Sequence, residues 1–273
     1  MRLGFISEIS EQKFRFAREN GFDGVELLIG IWEGQGDHPT PENARRAKDL
    51  LDAHGLKALS VQWAEDYSAG PDPAARFEEY ARFANLVGTE LVTVNAWVPA
   101  GLDRGARLDY FERVWTPIAA TAEAHGLRVA IENCPHGGRN IGSSPVNFRE
   151  LFRRVPSARI GLEFDPSHFV FQFMDYLAAI REFGERIFAL HAKDTQIHYD
   201  KLSVAGIQGQ DQSGVEWWRF RIPGYGDVDW RKVFVALSDI RYAGDIIIEH
   251  EDPTFAGEEG LLKAARTLRP LLF

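Results

Sequence analysis

Eight short runs of apolar and β-branched residues alternate with longer amphipathic segments along the chain of 273 residues. This alternation is typical of repeated βα units that build a parallel sheet. The predicted strands are residues 2–7, 24–29, 57–62, 91–95, 128–133, 160–165, 187–193 and 245–251. Because eight such units close more naturally into a barrel than into an open sheet, we expect an α/β protein with one (β/α)8 barrel, a TIM barrel, in a single domain over residues 1–273.

Local signals mark where the helices begin and end. Gly55 and Gly126 each follow an Ala-His pair just before a predicted strand, as expected of a left-handed residue that ends a helix. Thr40 and Asp72 each precede a proline, and this pairing favours a capped helix start.

One connection is much longer than the others and runs from Thr195 to about Asp227. Loops of this length are usually functional or disordered. The aromatic content of this one, with Trp217 and Trp218, favours an ordered lid over the mouth of the barrel.

Charge and composition exclude several classes of protein. A formal net charge of −9 with no basic stripe disfavours nucleic acid as a partner. No apolar stretch approaches the roughly 20 residues that span a bilayer, so no membrane association is expected. The single cysteine, Cys134, cannot form an internal disulfide. With no signal-peptide core at the N-terminus, we expect a cytoplasmic protein.

The strongest functional signal is a metal-competent side chain at the end of each of the last four predicted strands. These residues are Glu132, Asp165, His191 and Glu249. Strand C-termini are where the active sites of such barrels form. Since unpaired carboxylates in a barrel are costly, a bound cation is the economical explanation. Three carboxylates and one imidazole suit Mn²⁺, Mg²⁺ or Co²⁺ and tolerate Zn²⁺. Helix caps or surface ion pairs would be the alternative for any one of them alone.

Side-chain alternation supports this orientation, with one exception. If His191 points into the barrel, so does Ala189, while Phe188 faces the helices. The same parity turns Glu163 inward beneath Asp165. Glu163 is then either a satisfied buried polar group or a sign that the register slips there.

The motifs together resemble a known family. Five motifs follow one another along the chain in this order: Ile-Glu-Asn, Phe-Asp-Pro-Ser-His, His-Ala-Lys-Asp, Pro-Gly-Tyr-Gly-Asp-Val-Asp-Trp and Ile-Glu-His-Glu-Asp. The chain is similar over essentially its whole length to the xylose isomerase-like barrels, the superfamily of sugar phosphate isomerases and epimerases. The resemblance implies a metal-dependent isomerase or epimerase of carbohydrate metabolism that works by proton transfer alpha to a carbonyl through an enediolate.

The resemblance also implies roles for particular residues. Glu132, Asp165, His191 and Glu249 would be the metal ligands, and Glu132 and Glu249 the acid/base pair, as in ketose 3-epimerases. His168 corresponds to a histidine that contacts substrate in some members and metal in others. A dimer or tetramer is also implied.

Further residues are candidates for binding a small carbohydrate. They are Lys193, Glu26, Trp63, Asn95 and His136, which lie at or near predicted strand ends. Three of them have a plain structural alternative. For Lys193 it is an ion pair with Asp194 or Glu163, for Glu26 an ion pair behind the site, and for Trp63 ordinary packing.

Three questions about function stay open at this point. A glycine-rich turn at residues 223–226 precedes a predicted helix and could bind phosphate, but the neighbouring Asp227 and Asp229 would repel it. This favours an unphosphorylated sugar or keto-sugar. Inosose dehydratases share these motifs, so a lyase acting on a keto-inositol or keto-sugar is the nearest rival, with His168 as general acid. A non-catalytic sugar-binding barrel is a weaker alternative. Apurinic endonucleases of the superfamily need more histidines and a basic groove, which this chain lacks.

Overall fold

The eight predicted strands form one closed parallel barrel. The computed structural model describes residues 1–30, 36–70 and 72–273. The barrel strands are β1 (Leu3–Ser7), β2 (Gly24–Ile29), β3 (Lys57–Trp63), β4 (Leu91–Val94), β5 (Arg128–Glu132), β6 (Ile160–Phe164), β7 (Ile187–Ala192) and β10 (Asp245–Ile248). Around the barrel the order is β1, β10, β7, β6, β5, β4, β3, β2, which confirms the predicted (β/α)8 architecture.

Helices connect the strands and cover the outside of the barrel. They are α1 (Glu11–Glu19), α2 (Pro41–His54), α3 (Pro73–Val87), α4 (Arg104–Ala124), α5 (Pro145–Arg154), α6 (Ser167–Val170), α7 (Tyr176–Phe183), α8 (Tyr199–Ala205), α9 (Gly209–Ser213), α10 (Trp230–Asp239) and α11 (Gly257–Leu268), with short 3-10 turns at Tyr67–Ala69, His136–Gly138, Gly184–Arg186 and Arg269–Leu271. Within the described ranges, no helix combines the length and the apolar character needed to cross a membrane.

The predicted helix boundaries are confirmed by their caps. The Thr40 hydroxyl accepts a hydrogen bond from the backbone N–H of Asn43 at 3.1 Å, and Asp72 caps α3 in the same way. Gly55 and Gly126 have φ angles of 64° and 69°. This left-handed backbone favours glycine, because a Cβ there is strained.

The lower barrel interior is filled by a small apolar cluster that is separate from the main core. Its buried members are Leu59, Leu91, Ala130, Phe188, Ala189 and Ile247. Ala189 lies inside as predicted, but the expectation that Phe188 faces the helices is wrong. The pairing of β6 with β7 shifts register between Leu162 and Glu163, and simple alternation fails at such an irregularity.

The long connection is an ordered excursion from the mouth of the barrel. It contains an antiparallel hairpin of β8 (Asp194–Ile197) and β9 (Trp218–Arg221), with α8 and α9 between the strands. The hairpin is held by the Asp194 carboxylate, which accepts hydrogen bonds from the backbone N–H groups of Thr195, Gly224 and Val228 and from Trp230 Nε1, all at 2.8–3.0 Å. Burial raises the pKa of Asp194, and these four donors act against that effect.

Candidate metal centre and active site

Four side chains from neighbouring strands meet at the C-terminal mouth of the barrel. Glu132 is the last residue of β5, His191 lies near the end of β7, and Asp165 and Glu249 follow β6 and β10 directly. Each offers one ligand atom, and these four atoms lie within 4.8 Å of one another. The expectation that the four residues converge is therefore met in the structure.

The cluster atoms that face one another make no hydrogen bonds that meet ordinary geometry with the described residues. Glu132 Oε1, Asp165 Oδ2, His191 Nδ1 and Glu249 Oε2 are buried and make no hydrogen bond to any described residue. His191 Nδ1 lies 3.0 Å from Glu249 Oε2 and 3.6 Å from Glu132 Oε1. Because three carboxylates so close together in a buried site cost several kcal/mol unless cations compensate them, this donor set fits a hard divalent cation such as Mg²⁺ or Mn²⁺ in addition to the nearby Lys193.

Two nitrogen-bearing side chains, His168 and Lys193, border the cluster. His168 Nε2 lies 3.4 Å from Glu132 Oε1 and 3.3 Å from Asp165 Oδ2. Lys193 Nζ lies 2.8 Å from Glu249 Oε2, 3.4 Å from Asp165 Oδ2 and 2.9 Å from the exposed Glu251. Lys193 thus pairs with these carboxylates and with neither of the partners considered from the sequence, Asp194 and Glu163.

The electrostatics favour ionised carboxylates at the mouth. Burial opposes the charge of Glu132, but the imidazoles of His168 and His191 beside it hold its pKa well below the usual range. Burial likewise opposes the charge of Glu249, and the charges of Lys193 and His191 lower its pKa to about 2. Both glutamates are therefore in the form that binds a cation and accepts a proton.

A second polar layer lies beneath this cluster. Glu26 and Glu163 are fully buried, and each places a carboxyl oxygen 3.0 Å from His191 Nε2. Ser60 and Thr93 donate their hydroxyl hydrogens to Glu26 Oε2. Glu26 lies behind the proposed ligands and is not among the described residues that line the cleft, so its position matches the ion-pair alternative. That Glu26 binds substrate stays a prediction.

Glu163 points inward, as strand parity required. Its two carboxyl oxygens make no hydrogen bond to any described residue. Burial and the neighbouring charge of Glu26 raise its pKa well above the usual range. The structure combines parts of both sequence alternatives: Glu163 is a buried polar group 3.0 Å from His191 Nε2, and the register of β6 against β7 shifts beside it.

A cleft of about 620 Å³ adjoins this four-residue cluster at the mouth of the barrel. Its walls include both acid/base candidates, Glu132 and Glu249, and also Trp63, Asn95, His136 and Lys193. Asn95 Nδ2 donates to Glu132 Oε2 at 3.0 Å, and His136 Nε2 lies 3.1 Å from Asn95 Oδ1. Trp63 also stacks on Tyr80 with ring centroids 5.1 Å apart, so it is both a cleft wall and part of the packing.

The hairpin supplies a roof that sequence reasoning missed. The Phe220 ring lies 4.4 Å from Lys193 Nζ and 5.4 Å from the His168 ring. Since His168 is enclosed in this way, it is not among the described residues that line the cleft. Alternation along β9 predicts that Phe220 lies on one of the two faces of the hairpin. Only the fold shows that this face covers the site.

The fold and the cluster define a class: (β/α)8 barrels with a candidate metal centre at the C-terminal mouth of the barrel. Residues 14–271 match the family described as xylose isomerase-like TIM barrel, and this chain belongs to that family.

Comparisons with individual proteins agree with this assignment. An inosose dehydratase from Clostridium perfringens is 31% identical over 92% of this chain and 90% of its own. An uncharacterised Bacillus subtilis protein, YfiH, is 28% identical over 98% of each chain. The structure of a D-allulose 3-epimerase from Methylomonas superposes with a TM-score of 0.70 at 17% identity, covering 99% and 98% of the two chains. Several of the relatives are thus named as enzymes.

Proposed function

We propose that residues 1–273 form one catalytic domain, a divalent-metal-dependent isomerase or epimerase that moves a proton alpha to a carbonyl on a small sugar or keto-sugar. The observation that carries the proposal is the placement of Glu132 and Glu249. They come from β5 and β10, which are three strands apart around the barrel, and both line one cleft. Two bases that approach one substrate carbon from different sides are what proton removal and return require.

The four clustered residues would hold the cation. Bound by Glu132, Asp165, His191 and Glu249, a divalent ion such as Mn²⁺ supplies Lewis-acid polarisation of a carbonyl, a contribution of several kcal/mol. One of the two glutamates, Glu132 or Glu249, removes the alpha proton from one face of the substrate carbon. The other glutamate donates a proton to the opposite face. Asn95 orients Glu132 through its Oε2 atom, and Lys193 fixes Glu249 by an ion pair of 2.8 Å.

The cleft favours an uncharged polyhydroxylated substrate. Besides Glu132 and Glu249, its walls carry the carboxylates of Glu8, Glu65 and Glu251, against the lysines Lys13 and Lys193. A phosphate or carboxylate on the substrate would meet repulsion there. Hydroxyl groups, in contrast, can donate to these carboxylate oxygens.

The glycine-rich turn at residues 223–226 supports the same conclusion. The backbone N–H groups of Gly224 and Val228 donate to Asp194, and Asp229 caps the helix that follows. Because carboxylates occupy these donors, the turn offers no cradle for phosphate. This supports the expectation of an unphosphorylated sugar.

A dehydratase is the second candidate, and a specific observation favours it. The relative with 31% identity is an inosose dehydratase. In a lyase of this kind the same proton removal precedes loss of a β-hydroxyl, and His168 would be its general acid. Against this assignment, His168 is buried beneath Phe220, beside Glu132 and Asp165.

A screen in D₂O tests both candidates together. Ketoses, keto-sugars and inososes are incubated with Mn²⁺-loaded protein, and deuterium uptake and loss of water are followed by mass spectrometry. We expect deuterium in the substrate without dehydration, and at least about a 10²-fold slower exchange in Glu132→Gln and Glu249→Gln. The surface variant Glu123→Gln is the matched control, since Glu123 forms an ion pair with Arg159 and is not among the described residues that line the cleft. A dehydrated product would select the lyase. Undiminished exchange in both cleft variants would remove the acid/base roles.

A further inference from the structure

The imidazole of His191 joins two layers of the barrel interior. Its Nδ1 atom faces Glu249 Oε2 at 3.0 Å and Glu132 Oε1 at 3.6 Å, in the proposed metal cluster. Its Nε2 atom faces the opposite way, towards Glu26 Oε1 at 3.0 Å. The two ring nitrogens therefore have different surroundings, and only one of them faces the cleft side.

The lower layer is sealed from solvent and substrate. Glu26, Ser60, Thr93 and Glu163 have no exposed surface. The metal cluster lies above them, and the apolar cluster that contains Ala130, Ala189 and Ile247 fills the barrel interior below. A buried carboxylate is expensive to keep in such a place, so its role has to lie in what it does to its neighbours.

We propose that Glu26 is the positioning residue of the metal centre: it accepts the Nε2 hydrogen of His191 and so presents the unprotonated Nδ1 atom to the cation. A neutral imidazole carries one ring hydrogen, and the nitrogen without it is the ligand. A carboxylate behind a metal-binding histidine fixes the ring orientation and raises its basicity. This inference rests on the proposed metal-dependent function.

The contacts distinguish Glu26 from its neighbour Glu163. Glu26 Oε2 is held by the hydroxyls of Ser60 and Thr93, which leaves Oε1 for His191. Glu163 comes equally near to His191 Nε2, but neither of its carboxyl oxygens is held by a hydrogen bond to a described residue. A residue that orients His191 has to be held in place itself. Of these two glutamates, Glu26 is the one whose carboxyl group is held by hydrogen bonds to described residues.

Glu26→Gln and Glu163→Gln form a matched pair of tests, because each replaces one buried carboxyl group beside the same nitrogen. Zn²⁺ alone is the probe, titrated by competition with a chelator of known affinity. We expect Glu26→Gln to weaken Zn²⁺ binding by about 10–100-fold and Glu163→Gln by less than about threefold. Thermal melting of both variants without metal checks that they remain folded. Equal affinity of Glu26→Gln and wild type, or an equal loss in Glu163→Gln, would overturn the role of Glu26.

Nitrogen-15 NMR of the Zn²⁺-loaded wild type gives a second readout that needs no variant. The proposal requires the His191 hydrogen on Nε2 and the metal on Nδ1. A hydrogen on Nδ1 would overturn the inference even if Zn²⁺ binds tightly, and the metal site itself would stand. Failure of the wild type to bind Zn²⁺ would instead overturn the metal-dependent function and this inference with it.

Discussion

The ammonium group of Lys193 lies 2.8 Å from Glu249 Oε2 and 3.4 Å from Asp165 Oδ2, so one buried cation touches two of the four proposed metal ligands. Its side chain also lines the cleft, beneath the ring of Phe220. Lys193 therefore links the roof, the ligand cluster and the space for substrate. It is well placed to stabilise negative charge that develops on a substrate oxygen.

We expect Lys193→Met to slow hydrogen exchange on the substrate by at least about 10²-fold, because it removes a buried positive charge from the cleft wall beside the proposed metal ligands. The variant keeps most of the buried stem. Steady-state exchange rates in D₂O measure the effect, and Lys232→Met, at an exposed ion pair with Asp229, is the control. A Lys193→Met rate within threefold of wild type would assign the lysine a structural role only.

The second prediction concerns the Asp194 anchor of the hairpin. Asp194→Asn replaces one acceptor oxygen by an NH₂ group that faces existing donors. Two lost hydrogen bonds predict a loss of about 2–4 kcal/mol in the free energy of unfolding. Denaturant melts measure it, and Asp229→Asn, at a surface helix cap, is expected to cost less than about 1 kcal/mol. Equal stability of the two variants would contradict the proposed anchoring.

The third prediction concerns metal removal. A cation that binds only the folded protein, present at 100 times its Kd, adds about 2.7 kcal/mol to the free energy of unfolding. At roughly 2–4 °C per kcal/mol for a chain of this size class, Tm should fall by about 5–10 °C when EDTA replaces Mn²⁺. Asp165→Asn should show a much smaller response to Mn²⁺. A wild-type Tm that is the same in EDTA and in Mn²⁺ would argue against a structural metal site.

The fourth prediction concerns phosphorylated substrates. Since carboxylates outnumber lysines on the cleft walls, a phosphorylated ketose should have a kcat/KM at least about tenfold below that of the free ketose. Glu8→Gln removes one of these carboxylates and should reduce the difference in kcat/KM between the free and the phosphorylated ketose. Paired assays of each sugar and its phosphate at low and high salt provide the measurement. A preference for the phosphate would show that the glycine-rich turn or a lysine binds it after all.

Much of the fold could be predicted from the sequence because its signals are local. The eight apolar runs, the glycine helix ends and the proline helix starts each depend on a few neighbouring residues. The convergence of the four proposed ligands could also be predicted from the sequence, because the ends of parallel strands meet at one edge of the barrel. The observed β10 ends at Ile248, so Glu249 lies just beyond its strand and not within it as predicted.

The positions that sequence reasoning could not place have a common physical cause, which is that depth and register inside a barrel are not local. Glu26 is the third residue of β2, and three more residues follow it in the strand. At about 3.3 Å per residue its backbone lies roughly 10 Å along the strand from the strand end, and Glu26 is not among the described residues that line the cleft. The predicted orientation of Phe188 was wrong for a related reason, because the register shift beside Glu163 has no sequence signal. Phe220 reaches the site only through the pairing of β8 with β9.

The most direct measurement of the central claim is a Mn²⁺ titration of metal-free protein, followed by calorimetry and by electron paramagnetic resonance of the free ion. Wild type should bind one Mn²⁺ per chain, and Asp165→Asn and His191→Gln should each weaken that binding by at least about 10-fold, since every ligand belongs to one site. Binding of equal strength and stoichiometry in all three proteins would contradict the account, because the cation would then be held somewhere else.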